Sequence, residues 1–316
     1  MPKIKEKTIV AGTRGSSLAL AQTGLVIKLI QRKNKRFSFD TKIVKTSGDN
    51  LQRRRNSTLT GKDSFTREID LALMRKEIDF AVHSLKDVPI EDTLGSKEPK
   101  LEIAAYPKRE SPYDVLISRN RESTLQTLPE NARVGTSSLR RGIQLKLLRP
   151  DIEIVAIRGN VPTRIKKMRE SESNLDAIVL AQAGLRRLNI SDEANEVIPS
   201  DVILPAIGQG CLAVSVRSND YRTKQIVKSI DDRRTRLCVS AERAFSKELG
   251  GGCNTPIAAL ATMKGSKIKL RGLIVGETSS TSAKSNFVIR DEIEGKAEEG
   301  ENLGRKLART LKAMSM

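Results

Sequence analysis

The stretch Asp79-Phe80-Ala81-Val82-His83-Ser84-Leu85-Lys86-Asp87-Val88-Pro89 is a short apolar run that ends abruptly in a Lys-Asp pair and a proline. It has the pattern of a buried strand that delivers a carboxylate to a sheet edge. Open α/β sheets bind ligands at the carboxyl ends of their strands, so Asp87 is the first candidate for a reacting group. The competing reading is a strand end whose aspartate caps a turn. A second stretch, Gly250-Gly251-Gly252-Cys253-Asn254-Thr255-Pro256, sets a thiol in a glycine-rich turn after a helix. An accessible thiol there suits a nucleophile or an attachment point, against the alternative of a passive loop cysteine. The other cysteines read as structural: Cys211 starts a buried-looking strand, and Cys238 shares an apolar helix face with Ala241 and Phe245. With three cysteines lacking zinc-site spacing and His83 as the only histidine, no protein-bound transition metal is expected.

Cations gather at a repeated device. Thr8 to Ala11 reads as a strand, Gly12-Thr13-Arg14-Gly15-Ser16-Ser17 as a turn, and Leu18 to Ile30 as a helix that Ser16 or Ser17 can cap. Backbone N–H groups, a serine and Arg14 then surround one point, which favours an anion. The order returns in Arg133-Val134-Gly135-Thr136-Ser137-Ser138-Leu139-Arg140-Arg141. Leu175-Asp176-Ala177-Ile178-Val179-Leu180-Ala181 likewise echoes Ile78-Asp79-Phe80-Ala81-Val82-His83-Ser84, each strand being entered through an aspartate. Two echoes in one order predict two similar α/β domains facing each other. Between the second pair, Ile152 to Ile157 ends in Arg158-Gly159-Asn160, and Pro162 suits the first turn of a helix bearing Arg164. Arg140, Arg141, Arg158 and Arg164 thus fall at strand ends or helix starts, where guanidinium groups suit bidentate capture of carboxylates or phosphates.

These elements sit in a chain of 316 residues, long enough for two or three domains. A strand is expected over Phe37 to Thr46, a helix over Phe65 to Lys76, and strands over Leu101 to Tyr106 and Asp114 to Ser118. The aperiodic polar stretch from Ser47 to Ser64 reads as a mobile flap, and Pro107 to Pro112 as a hinge. Pro205-Ala206-Ile207-Gly208-Gln209-Gly210 reads as a tight turn before a strand from Cys211 to Val216, and Asp231 to Leu249 as a strong helix. Strand-like segments at Ile268 to Val275 and Phe287 to Ile293, with a final helix Gly300 to Ala313, predict a small α+β third domain.

Composition narrows the partners. Hydrophobic content is 38% and charged content 30%, as in soluble globular proteins, and the N-terminus has charge with no apolar signal core behind it. The protein therefore reads as cytoplasmic. A net charge of +19 favours acidic partners: nucleic acid, anionic membrane or a polyanionic small molecule. Aromatic residues are only 3% and Trp is absent, which argues against single-strand binding by base stacking. No helix-turn-helix or zinc pattern supports a nucleic-acid binder.

Taken in order, Ala81-Val82-His83-Ser84-Leu85-Lys86-Asp87-Val88-Pro89, Gly135-Thr136-Ser137-Ser138-Leu139-Arg140-Arg141, Arg158-Gly159-Asn160-Val161 with Thr163-Arg164, Leu204 to Gly210, and Gly251-Gly252-Cys253 with Pro256 resemble the hydroxymethylbilane synthase (porphobilinogen deaminase) family. The resemblance spans nearly the whole chain. It implies two type II periplasmic-binding-protein-like α/β lobes with a small α+β C-terminal domain. The boundaries expected are 1–107 with 208–224 for the catalytic lobe, 108–207 for the carboxylate-binding lobe, and 225–316 for the domain carrying the cofactor cysteine. It implies a dipyrromethane cofactor joined by a thioether to Cys253, stepwise addition of four porphobilinogen units with loss of ammonia, and hydrolytic release of hydroxymethylbilane. Asp87 matches the catalytic carboxylate. Arg14, Ser16, Lys62, Ser84, Lys86, Ser137, Ser138, Arg140, Arg141, Arg158 and Arg164, with Gln22, Thr136 and Gln209, match positions that bind cofactor or substrate. The expected partner is porphobilinogen, with neither nucleic acid nor membrane, and the chain is expected to act as a monomer.

The chain departs from the family pattern in the flap. Thr60-Gly61-Lys62-Asp63-Ser64-Phe65 keeps Lys62 and Phe65 but adds Asp63. Ser47 replaces an arginine and Thr58 a lysine, for which Arg53-Arg54-Arg55 can compensate. A two-lobed anion-binding protein without catalysis would share the echoes and the arginines, but has no use for Cys253 opposite Asp87.

Overall fold

The computed structural model describes residues 8–46, 66–90, 100–250, 256–280 and 283–315. In chain order the first elements are β1 (Ile9–Thr13), α1 (Ser17–Lys33), β2 (Phe39–Ile43), α2 (Arg67–Met74), β3 (Phe80–Ser84) and β4 (Leu101–Ala105). There follow β5 (Asp114–Ser118), β6 (Arg133–Gly135), α3 (Leu139–Leu148), β7 (Glu153–Val155), α4 (Val161–Arg169), β8 (Ala177–Ala181), α5 (Gln182–Arg187) and β9 (Glu196–Ile198). The last are β10 (Leu212–Arg217), α6 (Tyr221–Lys228), α7 (Arg233–Glu248), β11 (Ala258–Lys264), β12 (Lys267–Ser280), β13 (Ala283–Lys296) and α8 (Gly300–Met314). The sequence reading lacked β9, β11, α5 and α6, short or weakly periodic elements held by their neighbours.

The two echoes have a common structural cause. One sheet has the order β2-β1-β3-β10-β4 and another β7-β6-β8-β5-β9. In each, the first strand pairs parallel with its two neighbours, and the remaining two strands add antiparallel. Each entering aspartate stitches its strand to the first one. Asp79 accepts from the Val10 N–H at 2.9 Å while its own N–H donates to the Val10 carbonyl at 2.8 Å. Asp176 does the same with Arg133, at 2.7 and 2.9 Å. An arginine closes each corner: Arg217 donates to the Ile78 carbonyl at 2.6 Å, and Arg119 to the Leu175 carbonyl at 3.1 Å. This sheet order, repeated, is the type II periplasmic-binding-protein-like architecture, and a small C-terminal α+β layer completes it.

The chain forms two compact units, 1–109 with 211–236 and 110–210 with 237–316. The first is built on a core of Ile9, Val26, Ile30, Phe80, Val82, Leu212, Val214 and Val216. In the second, the sheet around β8 and the antiparallel β11-β12-β13 sheet belong together for visible reasons. Leu204 packs with Ala258, Leu260 and Leu273. The fully buried Glu242 on α7 accepts from the Gly208 N–H at 2.7 Å and the Ala261 N–H at 2.9 Å. Arg290 of β13 donates to the Gln144 side-chain carbonyl on α3 at 3.0 Å. Cys238 is buried with Ala241 and Phe245, and Cys211 is buried at the entry to β10. No helix among the described residues is long and apolar enough to cross a membrane.

Candidate active site

In the first unit, β3 ends in a 3-10 turn over Leu85–Asp87, fixed by the Leu85 N–H on the Cys211 carbonyl at 3.0 Å and the Val88 N–H on the Leu85 carbonyl at 3.0 Å. The turn brings half-buried Asp87 into one pocket with Arg14, Ser16, Gln22, Thr66, His83 and Ser84. Ser16 is the N-cap of α1, accepting from the Ala19 N–H at 3.3 Å, so a helix N-terminus opens onto the same pocket. Gln22, buried on that helix, donates from its amide nitrogen to the Ser84 hydroxyl at 2.9 Å. Lys86 is half-buried in the turn. A carboxylate, a guanidinium, three hydroxyls and a helix N-terminus in one pocket can bind an anionic group and hold or move a proton beside it.

The sequence reads His83 as a residue that helps to pack or hydrogen-bond its strand rather than to do chemistry, and the structure agrees with that reading. Its ring is buried, with Nε2 3.4 Å from an Asp70 carboxylate oxygen on α2. It supports the wall from behind, as a histidine in a buried strand requires a polar neighbour.

In the second unit, the Gly-Thr-Ser-Ser turn after β6 repeats the capping device. Ser138 is the N-cap of α3, accepting from the Arg141 N–H at 3.5 Å. The Thr136 hydroxyl, buried, accepts from the Ser138 N–H at 3.2 Å, and the exposed Ser137 donates its hydroxyl to the Ile157 carbonyl at 2.8 Å. Asn160 caps α4 and Pro162 lies in its first turn. Arg158 is exposed at the end of the strand segment. Arg164 donates from Nε to the Gly159 carbonyl at 2.7 Å. Burial, and then the neighbouring Arg141 charge, hold Arg164 below the usual guanidinium range.

Arg140, Arg141 and Gln209 lie further in than expected. Both guanidinium groups are nearly buried and turned onto Asp114, a fully buried carboxylate that sequence reasoning took only as the start of a strand. Arg140 reaches one oxygen at 2.8 Å. Arg141 reaches the other through Nε at 3.1 Å and Nη2 at 2.7 Å. Gln209 donates to that second oxygen at 2.9 Å and to the Pro112 carbonyl at 2.7 Å. Burial alone would raise the Asp114 pKa. The Arg140 and Arg141 charges outweigh it and hold the carboxyl far below its usual range. The available signal was a charged residue directly before the buried run Val115-Leu116-Ile117, because a buried charge needs a partner. Lys62, Cys253 and the stretch 47–64 lie outside the described residues.

Two sheets of one topology, with a carboxylate and a guanidinium at the strand ends of one and arginines at those of the other, define a class of α/β proteins suited to anionic ligands. The particular family follows from comparison. Residues 9–225 match the porphobilinogen deaminase, dipyromethane cofactor binding domain, and residues 236–313 the porphobilinogen deaminase, C-terminal domain. A porphobilinogen deaminase of Syntrophus aciditrophicus is 42% identical over 300 residues, covering 95% of this chain and 94% of that one. One of Brevibacillus brevis is 46% identical over 264 residues, covering 83% of each. A TRAP periplasmic solute binding protein from Pseudomonas putida is similar at a TM-score of 0.37 and 11% identity over 76% of this chain and 83% of that one, a likeness too weak to add to the topology. The chain belongs to the porphobilinogen deaminase family. Its activity is that of a hydroxymethylbilane synthase, a transferase of tetrapyrrole biosynthesis that uses a dipyrromethane cofactor.

Proposed function

We propose that Asp87 is the catalytic carboxylate of this transferase, that Cys253 carries the dipyrromethane through a thioether, and that the cations of both units bind the acetate and propionate arms of cofactor and substrate. The observation that carries this reading is the pocket Asp87 shares with Arg14, Ser16, Gln22 and Ser84. The residues present fit a polyanionic cofactor. Arg164 is largely withdrawn from solvent, stands near Arg141, and has no carboxylate partner among the described residues. A cation so placed is stabilised by an arriving carboxylate. Arg158, Ser137 and Ser138 border the same strand ends and helix starts. Lys86 would add charge on the side of Asp87.

When bound, the dipyrromethane would supply a tethered pyrrole whose free α-carbon takes the first unit, each later unit joining the free α-carbon of the growing chain's terminal pyrrole. The chain's own residues do the rest. Loss of ammonia from porphobilinogen leaves a cation delocalised over its pyrrole ring. The Asp87 carboxylate accepts the pyrrole N–H, offsets the developing charge, and takes up the proton released when the new carbon–carbon bond forms. Arg14, Ser16 and the α1 N-terminus hold a ring carboxylate while this happens. Gln22 fixes the Ser84 hydroxyl, so the pocket floor keeps its donor geometry.

The chain acts as a cytoplasmic monomer on this reading. Its functional division is threefold: a catalytic lobe of 1–107 with 208–224, a carboxylate-binding lobe of 108–207, and a cofactor-bearing domain of 225–316. Asp87→Asn tests the central role. It is expected to fold, to retain the covalent dipyrromethane, and to lose turnover by about 10²-fold or more, in line with a missing acid–base group. A loaded Asp87→Asn enzyme turning over porphobilinogen at a near-normal rate would remove Asp87 from the chemistry.

A further inference from the structure

The positive charge of this chain is unevenly placed. The first unit holds 30 Lys and Arg against 16 Asp and Glu, a surplus of +14 out of the +19 of the whole chain. Eight of those cations lie on α1, on α6 and in the turn after α1 (34–38), three segments that contain no acidic residue. The segments form one surface. Lys33 donates to the Ser229 carbonyl at 2.7 Å, Asn34 donates to the Ser229 hydroxyl at 2.9 Å, and the Arg36 and Arg222 guanidinium groups share the Phe37 ring. Lys28, Arg32, Lys35, Arg36, Arg222 and Lys228 are all exposed there, and among the described residues none of them forms an ion pair. Several exposed cations elsewhere do have carboxylate partners: Lys42 with Glu77, Lys267 with Glu294, Lys269 with Glu292 and Arg309 with Glu248.

Local structure accounts for only some of this charge. Cations in the last turn of a helix offset its dipole, which covers Arg32, Lys33 and Lys228. Arg222 stands in the first turn of α6, where the dipole disfavours a cation, and Lys28, Lys35 and Arg36 lie outside any last turn. Nor does the surface serve the Asp87 pocket, which opens at the other end of α1. At about 1.5 Å per residue from Ser16, Lys28 is about 18 Å along the helix and Arg32 about 24 Å. Salt screens charges beyond about 8 Å at physiological ionic strength, so these cations add little to the field at Asp87.

We propose that this surface binds the phosphate backbone of a double-stranded nucleic acid. Lys28 and Arg32, four residues apart, are neighbours on one helix face, and the Phe37 ring holds two further guanidinium groups beside them. Cations grouped without a competing carboxylate neutralise phosphates and release their counterions. Backbone contact carries no sequence preference, so the lack of a helix-turn-helix or zinc pattern does not bear on it. A single strand fits less well, because it needs aromatic platforms: Phe37 is buried, and Tyr221 is the one exposed aromatic of these segments. An anionic membrane also fits less well. A helix lying in a membrane surface inserts a broad apolar face, and Val26, Ile30, Ile226 and Val227 of α1 and α6 are in the core.

The test titrates full-length, cofactor-loaded protein into a short fluorescent RNA duplex of mixed sequence, and into a DNA duplex of the same sequence, by anisotropy across a salt series. Wild type is expected to bind at a Kd of about 10⁻⁶ to 10⁻⁴ M near physiological salt, with log affinity falling linearly in log salt. Binding to either duplex supports the proposal. In Lys28→Gln/Arg32→Gln/Lys35→Gln/Arg222→Gln the slope is expected to shrink by about 3 to 4, at about 0.9 per lost phosphate contact, and affinity to fall about tenfold or more. Lys42→Gln/Lys267→Gln/Lys269→Gln/Arg309→Gln removes the same charge from paired sites and is expected to keep the wild-type slope. Both variants are expected to turn over porphobilinogen at the wild-type rate. Equal loss of slope in the two variants, a wild-type slope in the first, or no binding to either duplex would overturn the proposal. So would binding to phosphatidylserine vesicles in place of the duplexes, or a duplex that competes with porphobilinogen. If the first variant does not fold, Lys28→Gln/Lys35→Gln removes two side chains that have no hydrogen bond or ion pair among the described residues. A slope smaller by about 2 then supports the proposal, and an unchanged slope overturns it.

Discussion

Asp87 and Asp114 both stand at ends of buried strands, and burial separates what they can do. Asp87 ends a turn at the carboxyl end of β3, half-exposed in an open pocket, where it can meet a substrate. Asp114 opens β5 with no exposed surface and three side-chain donors on it, so it can only organise what lies around it. Arg164 is the opposite case, a cation that burial and Arg141 both disfavour. Such a group costs stability, and its proposed role in binding gives a signed prediction. Arg164→Met is expected to leave the melting temperature of the cofactor-free chain unchanged or raised, while loading of the dipyrromethane falls by about tenfold or more. A melting temperature lowered by several degrees with normal loading would show Arg164 to be a structural residue.

At the scale of the element, one device explains both halves: a strand, a Gly-Thr turn, a capping serine and a helix. Ser16 and Ser138 cap equivalent helices, and Asp79 and Asp176 stitch equivalent strands. Asp114 gives this layer a pH signature. Its folded pKa is depressed, so its contribution to stability is present above its unfolded pKa, about 4, and is lost as pH falls toward the folded value. The stability gap between wild type and Asp114→Asn, measured by denaturant unfolding, is expected to be constant from neutral pH to about pH 5 and to shrink below about pH 4. A gap independent of pH down to strong acid would mean that Asp114 gains nothing from its arginines. The same elements mark how far the sequence could be read. The repeated turns were legible because local hydrogen bonding dictates them, and the entering aspartates because each stands at the head of a short apolar run, although their partners are distant. Asp87 was legible because a charge after an apolar run stands out. Asp114 was not, because its partners lie at least 26 positions away along the chain, on α3 and in the turn before β10. For the same reason Arg140, Arg141 and Gln209 were recognised by residue type, but not by the direction in which they face. The short β9 and the antiparallel β11 carry too little periodicity of their own, and their pairing with β5 and β12 forms them.

At the scale of the molecule, a polyanion that grows by two carboxylates per unit needs a strongly basic host, and the net charge of +19 agrees in sign. The arginines named above are only part of that excess. Arg32, Lys35, Arg36 and Arg222 are exposed on the first unit, and the guanidinium groups of Arg36 and Arg222 lie over the Phe37 ring at 5.0 and 5.6 Å. The central claim is that this chain works from a primer covalently held at Cys253. Intact-mass measurement of the purified, folded protein beside its Cys253→Ser variant tests it most directly. The account predicts wild-type chain heavier than its sequence by one dipyrromethane bearing two acetate and two propionate arms, and a variant at its bare sequence mass. Folded wild-type chain at bare sequence mass, or a variant that carries the same adduct, would contradict it.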